Sequence, residues 1–485
     1  MKRNFFLKLT MLSVPLALFL LISNCEKLQK TGDADMEIAK KLVQTLNELP
    51  GLTFEVETTN MTTEPSGKGR YLIILKDPAI AVDISGLNIG LPVKDTKIPV
   101  KTKEVVFQYG PKEKYLALVS SKDISFDWDF SGSMEIPGKA KEKPGLPAAA
   151  LKLSMEEVTF KNYDISPLLD TKTNDLMELA VQLLGKNQSF ESVVKNFTYE
   201  FGFLSKEKKK IAFLMEIEKL ESYQRALSEV FISLYRKGSE SPDFSNILKQ
   251  GKALLDLEMK CSLFKVSAKE DEKLSGGGII DDVSFSYFLK PDKTKSFFIY
   301  GFNWDMKDMK LSIPGNKEIE LAGRIKEWGM KFSLENLSAA FVQAYFDLVK
   351  KSLALSASMD KEKFRQQQMV MGLTIVSEFM KSKPIIKCSI SPFKHDLGEL
   401  DAQFNFQFFN LMTPPVGKAA VKIPKLEDML TKIKGEKLLS PKTAESLLKI
   451  IKKYVITDEN GNGIVTLETK PDQPGIFFLN GKPIK

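Results

Sequence analysis

One histidine, His395, occurs in 485 residues. That scarcity excludes a histidine-built zinc centre, an HExxH helix and any mechanism needing two imidazoles. A Ser-His-Asp triad would have to use His395. It stands in Phe393-Lys394-His395-Asp396, which reads as a turn between strands and places the ring at the surface. The chain also lacks the GxGxxG, Walker, GxSxG and CxxC patterns. Asp281-Asp282 follows Gly276-Gly277-Gly278, and a loop–strand junction explains it better than a pair of catalytic carboxylates. The expectation is a protein that is not an enzyme and takes no cofactor. Cysteine is nearly as scarce, with Cys25, Cys261 and Cys388 only. In an oxidising compartment Cys261 and Cys388 form an even pair, and a disulfide between them is allowed. The alternative is two buried free thiols.

Long apolar runs are also missing, apart from Leu9–Ile22. That run is shorter than the ~20 residues of a normal membrane span and contains Pro15, which suits a segment that is removed. Lys2, Arg3 and Lys8 give it a positive flank, and Ser23-Asn24-Cys25 follows. The arrangement resembles a bacterial lipoprotein signal with its lipobox, although Asn24 stands where Gly, Ala or Ser is usual. Residues 1–24 are thus predicted to be a signal peptide. Cys25 is the predicted lipidation site, and 25–35 carry the lipid and a polar tether. Several acyl chains on one cysteine give stable anchoring where a single chain does not. An ordinary signal peptide beside a chance cysteine, or an uncleaved anchor, are the other readings. The predicted location is the cell envelope, anchored by lipid at the outer membrane on its periplasmic or surface side.

Strong charge of one sign is absent too. The formal charge is +8, and three of those charges (Lys2, Arg3, Lys8) belong to the predicted signal. No dense basic stripe is present, so nucleic acid is not an expected partner. The tightest run, Lys206-Glu207-Lys208-Lys209-Lys210, lies between two alternating apolar segments. It reads as a solvated hairpin tip, or more sharply as a contact with anionic headgroups. With 43% hydrophobic and 27% charged residues, the remainder is globular rather than disordered.

What is present is alternation. Apolar residues recur at the helical period from Asp35 to Leu49. The period then falls to two in successive segments up to Leu118, as in an antiparallel meander. Helices are predicted at 172–185, 223–235, 244–255, 334–357, 360–381, 425–434 and 441–453. Strands are predicted at 197–203, 211–217, 257–268, 283–289, 297–304, 385–390, 399–409, 463–469 and 475–479. A Pro-rich link is expected at 414–424, and Asn480-Gly481 closes the last hairpin. The fold class is α+β, with long antiparallel strands in one or two curved sheets and amphipathic helices over one face.

Two stretches look alike. Val105-Val106-Phe107 leads to Phe126-Asp127-Trp128-Asp129 and then Ile136-Pro137-Gly138. Val283-Ser284-Phe285 leads to Phe302-Asn303-Trp304-Asp305 and then Ile313-Pro314-Gly315. An internal duplication would divide the chain into α+β repeats at 36–278 and 279–485. Trp128 and Trp304 are candidates for a sugar- or lipid-binding aromatic shelf, though core or sheet-edge packing is the favoured reading. Asp458-Glu459-Asn460-Gly461-Asn462-Gly463 matches the opening of a calcium loop at Asp458, Asn460 and Asn462. The closing carboxylate is one residue early, at Glu468, and the flanks read as strand. A Gly/Asn hairpin turn is therefore preferred, and no metal is expected.

The helix ending at Met380 runs into Lys383-Pro384-Ile385-Ile386-Lys387-Cys388-Ser389-Ile390-Ser391-Pro392-Phe393. Gly398-Glu399-Leu400-Asp401-Ala402-Gln403-Phe404 comes next, and the chain closes on Leu479-Asn480-Gly481-Lys482. These stretches resemble the YdgA-like family of bacterial cell-envelope proteins of unknown function. The resemblance covers about the last 150 residues and implies an envelope protein with no known enzyme activity. That family usually keeps an uncleaved N-terminal anchor, so this chain departs from it at Cys25. The expected function is a lipid-anchored envelope protein binding a lipid or other hydrophobic ligand. The alternative is a structural or partner-binding lipoprotein without a small-molecule ligand.

Overall fold

The structure is a computed structural model. It describes residues 33–484 apart from 48–51, 84–96, 111–114, 130–148, 167–182, 205–208, 234–239, 317–322, 356–360 and 436–440, and positions 68, 184–186, 188, 228–229, 231–232 and 411. The predicted signal, Cys25 and most of the tether lie outside the described residues, as does most of the helix predicted at 172–185. Among the described residues strand dominates over helix. The chain divides into two compact units, Met1–Gln224 with Cys261–Ser275, and Arg225–Lys260 with Gly276–Lys485.

In the first unit, α1 (Asp33–Asn47) precedes ten strands. These are β1 (Leu52–Glu55), β2 (Met61–Gly67), β3 (Arg70–Lys76), β4 (Ala79–Asp83), β5 (Lys97–Lys101), β6 (Glu104–Gly110), β7 (Tyr115–Asp129), β8 (Ala149–Lys161), β9 (Ser189–Leu204) and β10 (Lys210–Ala226). The strands pair antiparallel in the order β2-β3-β6-β7-β8-β9, and β1-β4-β5 joins through β5 and β7. Ala39, Leu42, Val43 and Leu46 recur every three or four residues along α1. That spacing gives the helix one apolar stripe, which is buried in a cluster with Phe54, Ile73, Leu75, Val105, Phe107 and Leu118. This unit therefore has a filled core. The helix predicted to begin at Tyr223 is corrected, because β10 continues as strand to Ala226.

Element numbering continues with α2 (Phe244–Gln250), β11 (Leu255–Glu270), β12 (Lys273–Pro291), β13 (Phe298–Ser312) and β14 (Ile325–Leu337). A helical hairpin follows, α3 (Ala339–Leu355) and α4 (Lys361–Lys381). Then come β15 (Ile385–His395), β16 (Gly398–Gln407), β17 (Val416–Ile423), α5 (Leu426–Gly435), α6 (Pro441–Tyr454), β18 (Ile456–Thr457), β19 (Gly463–Lys470), β20 (Gln473–Leu479) and β21 (Lys482–Pro483). Within the second unit the order is β12-β13-β14-β15-β16-β17-β19-β20-β21, antiparallel throughout, with β18 also on β19.

Segment 225–260, placed in the first repeat by sequence, belongs to the second unit. Leu227, Phe244, Ile247, Leu248 and Leu254 are buried in one cluster with Phe298, Leu337, Val342 and Phe346. Asp243 caps α2 by accepting a hydrogen bond from the Asn246 N–H at 3.1 Å. Two further expectations are corrected. The link at 414–424 contains the strand β17, and β14 fills 325–333, assigned to no element, and runs on through 334–337, the start of the helix predicted at 334–357, which begins instead at Ala339. The closing turn is as predicted. Asn480 and Gly481 have φ of +50° and +76°, the left-handed pair that a two-residue hairpin between Leu479 and Lys482 requires.

Candidate functional site

Side chains alternate between the two faces of a strand, so the register of the second sheet sorts its residues into two faces. One row of mutually opposite positions crosses eight strands, β12 to β17, β19 and β20: Tyr287, Phe302, Phe332, Cys388, Phe404, Ala419, Leu467 and Leu479. The next row on the same face is Phe285, Trp304, Met330, Ile390, Ala402, Val421 and Val465. Neither row holds a charged residue.

The opposite face is of another kind. There Ser286 faces Asn303, Asn303 faces Lys331, Lys331 faces Ser389, and Ser389 faces Gln403. Cross-strand pairs fix this face. Lys387 Nζ lies 2.6 Å from Glu335, Lys394 Nζ lies 2.6 Å from Glu327, and the Asn303 amide donates to Ser286 Oγ at 2.8 Å. A recess of about 520 Å³ on this side is lined by Lys387, Asn405, Gln407, Lys418 and Glu468. Its charges of both signs and its exposure to water suit solvent better than a ligand.

The apolar face is partly packed. At one end of the strands, Leu289, Tyr300 and Leu334 pack against the cluster that contains α2 and α3 residues and Phe379 of α4. At the other end, Leu400 and Val421 pack with Ile423, Leu426, Met429 and Ile451. Between them, Phe302, Phe332, Trp304, Met330, Cys388, Ile390, Ala402 and Phe404 belong to none of the three buried clusters. Trp304 is 37% exposed and Phe404 41%. The aromatic rings rest on one another instead. Phe302 stacks on Phe332 with centroids 5.2 Å apart, Trp304 lies 5.0 Å from Trp328, and Phe404 lies 4.6 Å from Phe406. Tyr287, at the start of the first row, has its hydroxyl pKa pushed up by burial and then by Tyr300, its hydrogen-bond partner. The arrangement can hold apolar surface out of water, and it contains no nucleophile–base pair.

Each residue singled out by sequence has a place. Trp304 is a half-exposed member of the apolar rows, whereas Trp128, on the first unit's β7, stands opposite Leu151. Cys388 sits in β15 with Phe332 and Phe404 directly opposite on its two sides. Cys261 lies in β11, and both thiols are free. Burial pushes both thiols up in pKa.

The Asp458 loop is a structural turn. One oxygen of Asp458 accepts from the backbone N–H groups of Asn460 and Asn462 at 2.9 and 2.8 Å, and the other from the Asn462 amide at 3.0 Å. The loop also meets the start of α5, where Leu426 N–H donates to Gly461 O at 3.1 Å. Among the described residues, no group of three or more His, Cys, Asp or Glu side chains gathers as a metal site. His395 ends β15, where its Nδ1 accepts from the Leu397 N–H at 3.0 Å in the turn. Of the lysine run, Lys209 pairs with Glu270, and Lys206–Lys208 lie outside the described residues. Asp281 and Asp282 sit exposed inside β12.

Sequence reasoning missed Trp328, Met330 and Phe332, although their period of two was visible. It also missed Ala419 and Val421, whose strand is interrupted by Gly417 and Ala419-Ala420. Searches against family models, curated proteins and solved structures gave no match.

Proposed function

We propose that this chain is a lipid-anchored bacterial cell-envelope protein, held to the membrane through Cys25, whose second unit binds a lipid or other hydrophobic ligand. The observation that carries this reading is the middle of the two registered apolar rows, from Phe302 and Trp304 to Phe404 and Ala402, which lies outside every buried cluster. An uncovered aromatic surface of this extent usually marks an interaction site. In this reading the sheet curves around its ligand, and the amphipathic helices α3, α5 and α6 close the two ends of the apolar face. Anchoring, location and the absence of catalysis rest on the sequence, and the resemblance to the YdgA-like family supports the envelope.

The test is to purify residues 26–485, which keep every described element, and to extract bound lipid. Co-purifying lipid, or uptake of a lipophilic probe lost in Phe332→Asp, is expected. A protein free of lipid that takes up no probe would sink the proposal.

A second reading, partner binding without a small ligand, is favoured by one observation. Met369, Val370 and Leu373 on α4 are 68, 62 and 64% exposed. A helix apolar on this side as well as towards Phe341 is expected to meet another surface. Crosslinking in cells from positions on α4 checks this reading, and a specific protein adduct is the expected result.

A further inference from the structure

Resting on the ligand-binding reading, we infer that the ligand class is long-chain acyl lipid. The chain lies across the strands along the Phe302–Phe332–Cys388–Phe404 row and is selected by length rather than by headgroup. Three features of the face argue for this.

The first is dimension. Strands lie about 4.8 Å apart, so the row from Tyr287 on β12 to Leu479 on β20 is roughly 34 Å long. A bilayer's hydrocarbon core, two acyl chains deep, is about 30 Å. One chain is thus about 15 Å long and matches the three strand spacings from Phe302 to Phe404, roughly 14 Å.

The second is openness. Compact ligands gain affinity by being enclosed in a pocket. Trp304 and Phe404 instead present an open strip, 37% and 41% exposed. A surface of that kind favours an extended chain, which adds contact with every methylene.

The third is chemistry. From Phe302 to Phe404 the row offers three phenyl rings and one thiol, with Met330, Ile390 and Ala402 beside them. None of these can pair a charged or strongly polar group. Tyr287, at the head of the row, already has its hydroxyl engaged by Tyr300. The bound portion must therefore be hydrocarbon, and the headgroup projects away from the rows.

The test uses residues 26–485 carrying Cys261→Ser, which leaves Cys388 as the single thiol. Displacement of dansyl-undecanoate by octanoate, laurate and palmitate is measured beside displacement by cholesterol and by lysophosphatidylcholine with a palmitoyl chain. Affinity is expected to rise about twofold per methylene, as half-burial of each would give. Palmitate and the lysolipid should bind within a few-fold of each other. Alkylation of Cys388 should be slowed by palmitate and left unchanged by octanoate. Phe404→Asp should weaken laurate about tenfold or more, while Gln403→Glu, on the polar face, should not; the Cys388 footprint stands in where an Asp variant fails to fold. Equal affinities across the chain series, or cholesterol binding as tightly as palmitate, would overturn the acyl assignment and leave hydrophobic-ligand binding intact. Failure of every lipophile would overturn both. A stable dimer that protects Cys388 without lipid and resists palmitate would assign the face to a second copy of the chain.

Discussion

Phe302 and Phe332 lie directly opposite each other on β13 and β14, with ring planes within 20° and centroids 5.2 Å apart. Each ring is half-buried and shields its neighbour. Phe332→Ala removes that contact and part of a phenyl burial, for an expected loss of about 1–2 kcal/mol in urea unfolding of the second unit. The same variant should take up less lipophilic probe. A change below a few tenths of a kcal/mol would mean that the rings carry no packing load.

Anchoring gives a second prediction. On the proposed lipid anchor, Cys25→Ser removes the acceptor for the acyl chains, and two or more chains are what makes membrane attachment stable. The variant should move from the membrane pellet to the soluble fraction in cell fractionation. Persistent membrane association would defeat both the lipidation site and the assigned location.

The Asp458 turn predicts a pH signature. The Asn462 side chain, followed by the backbone N–H groups of Asn462 and Asn460, holds the Asp458 carboxyl below its ordinary pKa. A depressed carboxylate stabilises the fold above its unfolded pKa, near 3.9, and loses that contribution as pH falls through the folded value. The Tm difference between the parent and Asp458→Asn should therefore be constant above about pH 5 and shrink at lower pH. Added calcium should leave the parent's Tm unchanged, because these oxygens are already occupied by N–H donors. A calcium-dependent rise in Tm would restore the metal reading.

Thiol chemistry supplies the fourth. Burial raises the pKa of Cys261 and Cys388, and the thiolate is the reactive form. Both should alkylate slowly near neutral pH in the folded protein and at ordinary rates in urea. Mapping of the intact protein should find two free thiols and no linked peptide. A recovered Cys261–Cys388 crosslink would contradict the structure.

Much of this fold is written as a period of two, and the segments that were read correctly show why. Phe197–Phe203 and Ile211–Ile217 alternate cleanly and fall within β9 and β10. The helices at 425–434 and 441–453 have clear apolar stripes, and they appear as α5 and α6. β17 was hidden because Gly417, Ala419 and Ala420 are poor strand formers. Its place comes from its neighbours, since Phe404 pairs with Ala419 and Ala419 with Leu467. The candidate site was less legible than the fold. No single strand reveals that Cys388 lies between Phe332 and Phe404, because that is a property of register between strands, with Phe332 56 residues before Cys388 and Phe404 16 after it, and a one-residue slip would send every side chain to the other face.

The two-residue strand β21 has a consequence beyond closing a turn. A long sheet with one oily face is exposed to stacking against copies of itself, and its outermost strand offers the template. Beyond β20 the ladder meets Lys482, Pro483 and Ile484, whose N–H donates to Phe477 O at 2.7 Å, and Pro483 stands opposite Phe478 with no N–H to donate. This stub acts as a guard rail. It ends hydrogen-bond propagation with a charge and an imino acid, so solubility at high concentration would depend on a few residues that never touch the ligand face.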